Sequence, residues 1–303
     1  MIPTVVDRPP EVLSAEFFGY LAKKQSESPA MNKYLRTAMT VSLALVCLPA
    51  LSQWPAYPTA DVPRTADGAP DLEAPPPRTA WGTPDFSGIW ENYPPFGQAS
   101  PEDVQDPDAP PLAAFWDLGE NFENVLPYTE QARVLRAARM ADNMKDNPDA
   151  HCLPIGYMQL HKHPQPHKIV QTEDLIVMIW ESNGGLRQIF LDGRELPDSD
   201  ALPWWYGYSV GHWEGDTLVV ESTGFRDDVW LDVNGSPLTN TGKITERFTR
   251  ENYGRMNIDV TIEDPASYTR PFTVRVEHGI MLDTNLIEFI CNENEMSSQF
   301  FDP

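Results

Sequence analysis

Basic residues are scarce in this chain: 22 lysines and arginines stand against 45 aspartates and glutamates, for a formal net charge of −23. A surface this acidic repels nucleic acid and anionic lipid, which argues against DNA, RNA and membrane-surface roles and favours solubility. Cysteine is scarcer still, with three in 303 residues, and no CxxC or HExxH spacing is present to hold zinc. Glycine-rich phosphate loops and dinucleotide fingerprints are missing, so no cofactor is expected. No internal repeat of fixed period is visible. Long apolar runs are lacking too: residues 38–51 form one, but Pro49 interrupts it and it falls short of the roughly 20 residues that span a bilayer.

That run has another use. Lys33 and Arg36 precede it and Ala50, Leu51 and Ser52 end it, giving the basic start, apolar core and small-residue exit of a secretory signal. Residues 31–52 therefore read as a signal peptide, and residues 1–30, ahead of Met31, as an over-extended start set aside from the fold. Removing residues 1–52 takes away five basic and four acidic residues, leaving 17 against 41 and a balance of −24. Cys47 follows Val46 rather than a small residue, so it is no lipid anchor and leaves with the signal. The mature chain is then expected to be periplasmic or secreted, without a stable membrane anchor. In that oxidising setting Cys152 and Cys291 read as a structural disulfide, with two separate buried thiols as the alternative. Closing so long a loop contributes roughly 4 kcal/mol by chain entropy.

Residues 53–112 hold fourteen prolines, so this arm is not expected to form regular helix or sheet. Within it, residues 81–90 (WGTPDFSGIW) carry three aromatic rings that are costly to leave in water, and they are expected to dock as an edge strand or clasp. A β-rich domain is expected over residues 113–303. Thr129 can cap its one helix, over 129–145, whose apolar face is Val134, Leu135, Ala138, Ala141 and Met144. After Cys152 the apolar period changes to two. About nine strands follow with hairpin-length connections, including 286–291 as the last. Two alternate cleanly: Met256, Ile258, Val260 and Ile262 on one face, then Phe272, Val274 and Val276. The predicted fold is mainly β, an antiparallel meander closed into a calycin-like barrel or folded as a two-layer sandwich.

Several longer strings now stand out: GTPDFSGIW (82–90), GHWEGDTLVVESTGF (211–225), TERF (245–248), TIEDPASYTRPFT (261–273) and EFICNEN (288–294). Together with CLP (152–154) and IVQT (169–172), the chain resembles an uncharacterised family of secreted bacterial proteins over most of its length from Gly82. The resemblance implies no established activity. Members of that family often carry histidines just before the Thr-Glu-Arg, where this chain has LTNTGK (238–243). Any chemistry those histidines perform would be missing here.

Candidate chemistry is sparse. Trp204, Trp205, Tyr206, Tyr208, Trp213 and Trp230 form an aromatic cluster, and period two would place Trp204, Tyr206 and Tyr208 on one face. Such a row suits an apolar or aromatic ligand, though tryptophans also serve as plain core packing. Histidine is the usual general base near neutral pH, and His212 beside this cluster, paired with Glu246, would make a general acid–base couple. His161, His163 and His167 have the residue types for a metal site, but Pro164 and Pro166 make the segment a loop in which solvated histidines are commoner. The 207–211 stretch matches G-x-S-x-G only by accident, because a nucleophile elbow needs a helix to follow and a hairpin is expected. Two readings follow. One is a small-molecule binding protein using Trp204, Tyr206, Tyr208 and Trp230. The other is a cofactor-free lyase, isomerase or hydrolase using His212 and Glu246 in the same cavity.

Overall fold

Period-two alternation decides most of the architecture. In the computed structural model, which describes residues 59–95, 108–198 and 201–293, Met256, Ile258, Val260, Ile262, Phe272, Val274 and Val276 are all buried. The signal-peptide segment 31–52 and residues 1–30 lie outside the described residues, as does part of the proline-rich arm. The strands are β1 (Gly88–Asn92), β2 (His167–Gln171), β3 (Leu175–Trp180), β4 (Leu186–Phe190), β5 (Tyr208–Glu214) and β6 (Thr217–Thr223). A short hairpin, β7 (Val229–Trp230) with β8 (Pro237–Leu238), is followed by β9 (Lys243–Arg250), β10 (Arg255–Glu263) and β11 (Phe272–Met281). Two α-helices are present among the described residues, α1 (Glu130–Ala141) and α2 (Tyr157–Lys162), with short 3-10 turns at Pro148–His151 and Ser182–Gly184.

Nine of the strands close a barrel in the order β1, β11, β10, β9, β6, β5, β4, β3, β2 and back to β1. The barrel, not the sandwich, is thus the architecture, and it is mixed rather than a pure meander: β4 and β5 run parallel while the other neighbours are antiparallel. Inward side chains from all sides form one contiguous core that fills the interior. No helix among the described residues is long and apolar enough to cross a membrane.

Three expectations are corrected. β1 is no edge clasp, because it pairs with β11 on one side and β2 on the other and completes the closure. Within the docked segment Trp90 is fully buried and its indole donates to the Phe86 carbonyl at 2.9 Å, whereas Trp81 stays exposed. Residues 286–291 form no strand. A closed barrel leaves no free edge to receive one, and Ile287, Phe289 and Ile290 are exposed. Helix α1, capped by Thr129, does not bury its apolar face: Val134 and Leu135 are exposed and Ala132 is buried. It docks instead through Arg136, which donates to Asp117 at 2.7 Å, and Arg139, whose guanidinium lies 4.4 Å over the Trp230 ring. The surface beneath is aromatic and acidic, and an arginine matches both while laying its stem against the core.

Cys152 and Cys291 are disulfide-bonded with their Cα atoms 5.4 Å apart, tying the irregular tail to the turn before α2. Replacing both with serine is expected to cost 2–5 kcal/mol, the range for removing a native bridge that closes a long loop. Urea unfolding checks this, and reduced wild-type protein should match the double variant. Equal stability with and without reductant would show that the bridge carries none of the fold.

Candidate functional site

One end of the barrel is polar inside. Register places Gly211, Val220, Glu246 and Val260 in line across β5, β6, β9 and β10, facing inward. Arg187 of β4, Ser209 of β5, Ser222 of β6, His167 of β2 and His278 of β11 are buried as well. Helix α2 plugs this end and inserts Tyr157 and His161 between them. Only glycine allows that approach, since a Cβ on Gly156 would sit 1.6 Å from the Trp230 carbonyl oxygen.

Glu246 is the hub. Its carboxylate accepts from Tyr157 Oη at 2.5 Å, from His161 Nε2 at 3.1 Å and from both terminal nitrogens of Arg187. Arg187 also donates from Nε to Ser209 at 3.0 Å and from Nη2 to Ser222 at 3.1 Å, and the two hydroxyls share a 2.8 Å bond. Burial by itself would raise Glu246, but the Arg187 charge and the His161 hydrogen bond outweigh it and bring the pKa down to about 2. Burial pushes the Tyr157 phenol well above its ordinary value, so it stays a donor. The network is therefore an internally neutralised ion pair, with its carboxylate lone pairs satisfied.

Beside it lie three imidazoles. His278 donates from Nε2 to the His161 carbonyl at 3.0 Å, and its ring centroid is 5.9 Å from His161 and 4.6 Å from His167. Burial first, and then the neighbouring His161, bring His278 down to about 3; the same causes, with His278 added, hold His167 well below its ordinary value. Both are uncharged at neutral pH. His163 sits apart, edge-on to Phe115 at 5.5 Å. Among the described residues no grouping of three or more His, Cys, Asp or Glu side chains has the arrangement to hold a metal.

The aromatic cluster meets this network at a gap in the barrel wall. β4 pairs with β5 only through Ile189 with Ser209 and Phe190 with Val210, so its 186–188 end has no ladder partner on that side. A pocket of about 290 Å³ opens there, walled by Phe190, Trp204, Trp205, Tyr206 and Tyr208, with Arg187 and Ser209 also in its lining. Backbone bonds hold the aromatic segment: Trp204 N donates to Gly224 O at 2.8 Å and Arg226 N to Trp204 O at 3.1 Å. Gly207 makes the turn at φ +67°, with Phe225 so close that a Cβ would fall 2.7 Å from its ring. Tyr208 stacks on Phe190 and accepts from Arg194 at 3.0 Å.

Sequence-based candidates are thus redistributed. Trp204, Tyr206 and Tyr208 share the pocket, but Trp205 joins them, because the chain is not yet a strand at 204–207 and period two does not apply. Trp230 is elsewhere, buried under Arg139 in β7. His212 and Glu246 do not meet: register aligns His212 with Val219 and Arg247, on the opposite face from Glu246. His212 is exposed and contacts Glu214 at 3.4 Å. The histidine that reaches Glu246 is His161. Ser209 is a buried strand residue bonded to Arg187, not a nucleophile on an elbow. In the LTNTGK segment Leu238 is fully buried, and Thr239 and Thr241 donate to Asp264.

Arg187, Tyr157 and Ser222 were not singled out from the sequence. A signal existed for two of them: Arg187 shares the parity of Ile189 along β4, and Tyr157 and His161 are four apart on one helical face. Set against family models, curated proteins and solved structures, the chain matches none. Fold and site define a mainly β protein: a closed, mixed, disulfide-bearing barrel with aromatic clusters and a buried arginine–glutamate pair.

Proposed function

We propose that this chain is an extracytoplasmic protein, of the secreted bacterial family it resembles, that binds a small apolar or aromatic molecule in the pocket at the β4–β5 gap. One observation carries the reading: four aromatic residues from 204–208 and Phe190 converge on a pocket of about 290 Å³ at the β4–β5 gap. Concave aromatic walls with few polar groups are the common form of a small-molecule site. The disulfide supports an oxidising compartment. Proton-transfer chemistry fits less well, because a carboxylate held near 2 and clasped by Arg187 is a weak base at neutral pH. His161 does not line the pocket.

A thermal-shift screen against aromatic and apolar metabolites and divalent metals tests this. A ligand at about 100 times its Kd adds about 2.7 kcal/mol to stability by mass action, expected as a rise of roughly 5–10 °C in Tm. Trp204→Ala should abolish the rise. Stabilisation by metals alone, or by nothing, would overturn the pocket reading.

A further inference from the structure

We infer that helix α2 is an acid-sensitive gate: as the pH falls from 7 to 5 it leaves the barrel end far more often, while the barrel itself stays closed. The inference is independent of the binding reading above. Six residues are too few to be helical in water on their own. Among the described residues no backbone-to-backbone hydrogen bond joins α2 to a strand, whereas the nine strands pair all the way round. An element held in this way opens locally at lower cost than the sheet it covers. The chain is tethered before α2 by the Cys152–Cys291 bridge and after it by Asn92, which donates to the His163 carbonyl at 2.6 Å. Release of α2 therefore pulls no strand from the barrel, and it admits water to the Arg187–Glu246 pair.

The groups beneath α2 make this opening respond to acid. His278 of β11 is covered by α2, since its Nε2 donates to the His161 carbonyl at 3.0 Å, and His167 of β2 lies beside it with ring centroids 4.6 Å apart. All three imidazoles are buried. One nitrogen of each ring, Nδ1 of His161 and His278 and Nε2 of His167, has no hydrogen-bond partner among the described residues. A proton added there would make a buried cation whose new N–H has nothing to donate to. Opening takes His161 away and gives His278 and His167 water, in which a histidine titrates near 6.5. Each of the two then favours the open form roughly 25-fold more at pH 5 than at pH 7, and together several hundredfold. The other ionisable groups facing α2 are few. Glu246, held at about 2, and Arg187 keep their charges in this range, and Tyr157 stays neutral. Burial lowers Lys162 of α2 and His163 at its end, with Asp149 opposing the latter, and both act with the two imidazoles. Glu277 of β11, which faces Lys162 and is raised by burial, acts against them.

Hydrogen exchange read by mass spectrometry on the free protein tests the gate, with rates corrected for the intrinsic effect of pH on exchange. Amides of residues 155–163 are expected to exchange roughly a hundredfold or more faster at pH 5 than at pH 7. At pH 5 they should also outpace the amides of β10 by about tenfold or more. His278→Gln retains an N–H for the His161 carbonyl but takes up no proton, so the pH response should shrink by roughly 25-fold. His167→Gln provides the same test from the neighbouring ring, and the wild-type comparison stands whether or not either variant folds. An α2 exchange rate that does not change with pH would overturn the inference. So would α2 and β10 exchanging in step, because the opening would then be the unfolding of the whole barrel. A response left intact in both folded variants would also overturn it, by removing these imidazoles as its origin.

Discussion

Glu246→Gln is expected to lower folding stability by about 3–5 kcal/mol, the cost of stranding one member of a buried ion pair. For a domain of this size that corresponds to a fall of roughly 6–20 °C in Tm. The amide leaves Arg187 charged and fully buried, with Ser209, Ser222 and one neutral amide oxygen in place of the carboxylate. It also halves the acceptor capacity offered to Tyr157 and His161. A paired replacement separates charge from shape: Arg187→Met with Glu246→Leu removes both ions, and swaps of that kind are often neutral or better. Urea unfolding of the two variants decides the matter. A Glu246→Gln protein within about 1 kcal/mol of wild type would mean that the pair is not held in a desolvated interior.

Acid is expected to destabilise the protein well above the range in which carboxylates titrate. His278 falls from the ordinary 6.5 to about 3 in the folded state, and His167 is also strongly lowered. Above pH 6.5 both are neutral, folded or unfolded, and contribute no pH dependence. Below it the unfolded chain takes up protons that the folded barrel refuses, so stability falls as pH drops, by roughly 1.4 kcal/mol per unit for each histidine. The decline continues until the folded state itself titrates, near 3 for His278. Glu246, lowered from 4.5 to about 2, steepens the loss in its own window, where its stabilising charge disappears. Urea midpoints between pH 7 and 5 should therefore fall, with His163, also lowered by burial, adding to the slope, and His278→Gln should make it shallower. A flat profile from pH 7 to 5 would show that these imidazoles reach water.

Much of this fold is legible in the residue order. The alternation of Met256 to Ile262 and of Phe272 to Val276 marks two strands and their buried faces, and the turns between apolar runs mark most of the others. Residues 81–90 carry aromatic rings that favour docking, and Cys152 with Cys291, read from the sequence as a bridge, form one. These features depend on a few neighbouring residues, or on composition, and so they survive without knowledge of the rest of the chain.

The site is different. Period two says that Arg187 sides with Ile189 and that Glu246 sides with Phe248, but it does not say that the two faces look at each other across a barrel. Closure by β1, the parallel β4–β5 seam and the pocket beside it arise from pairings between distant segments. Helix α2 is six residues long, too short to hold itself in water, so burial against the barrel end accounts for it and no local propensity announces it. Composition and periodicity thus determined the mainly β class of structure and which side chains of β10 and β11 lie inside, because those follow from local hydrophobic patterning. Tertiary structure alone decided which polar groups meet: a buried arginine becomes part of a site only when another strand supplies its glutamate within hydrogen-bond reach.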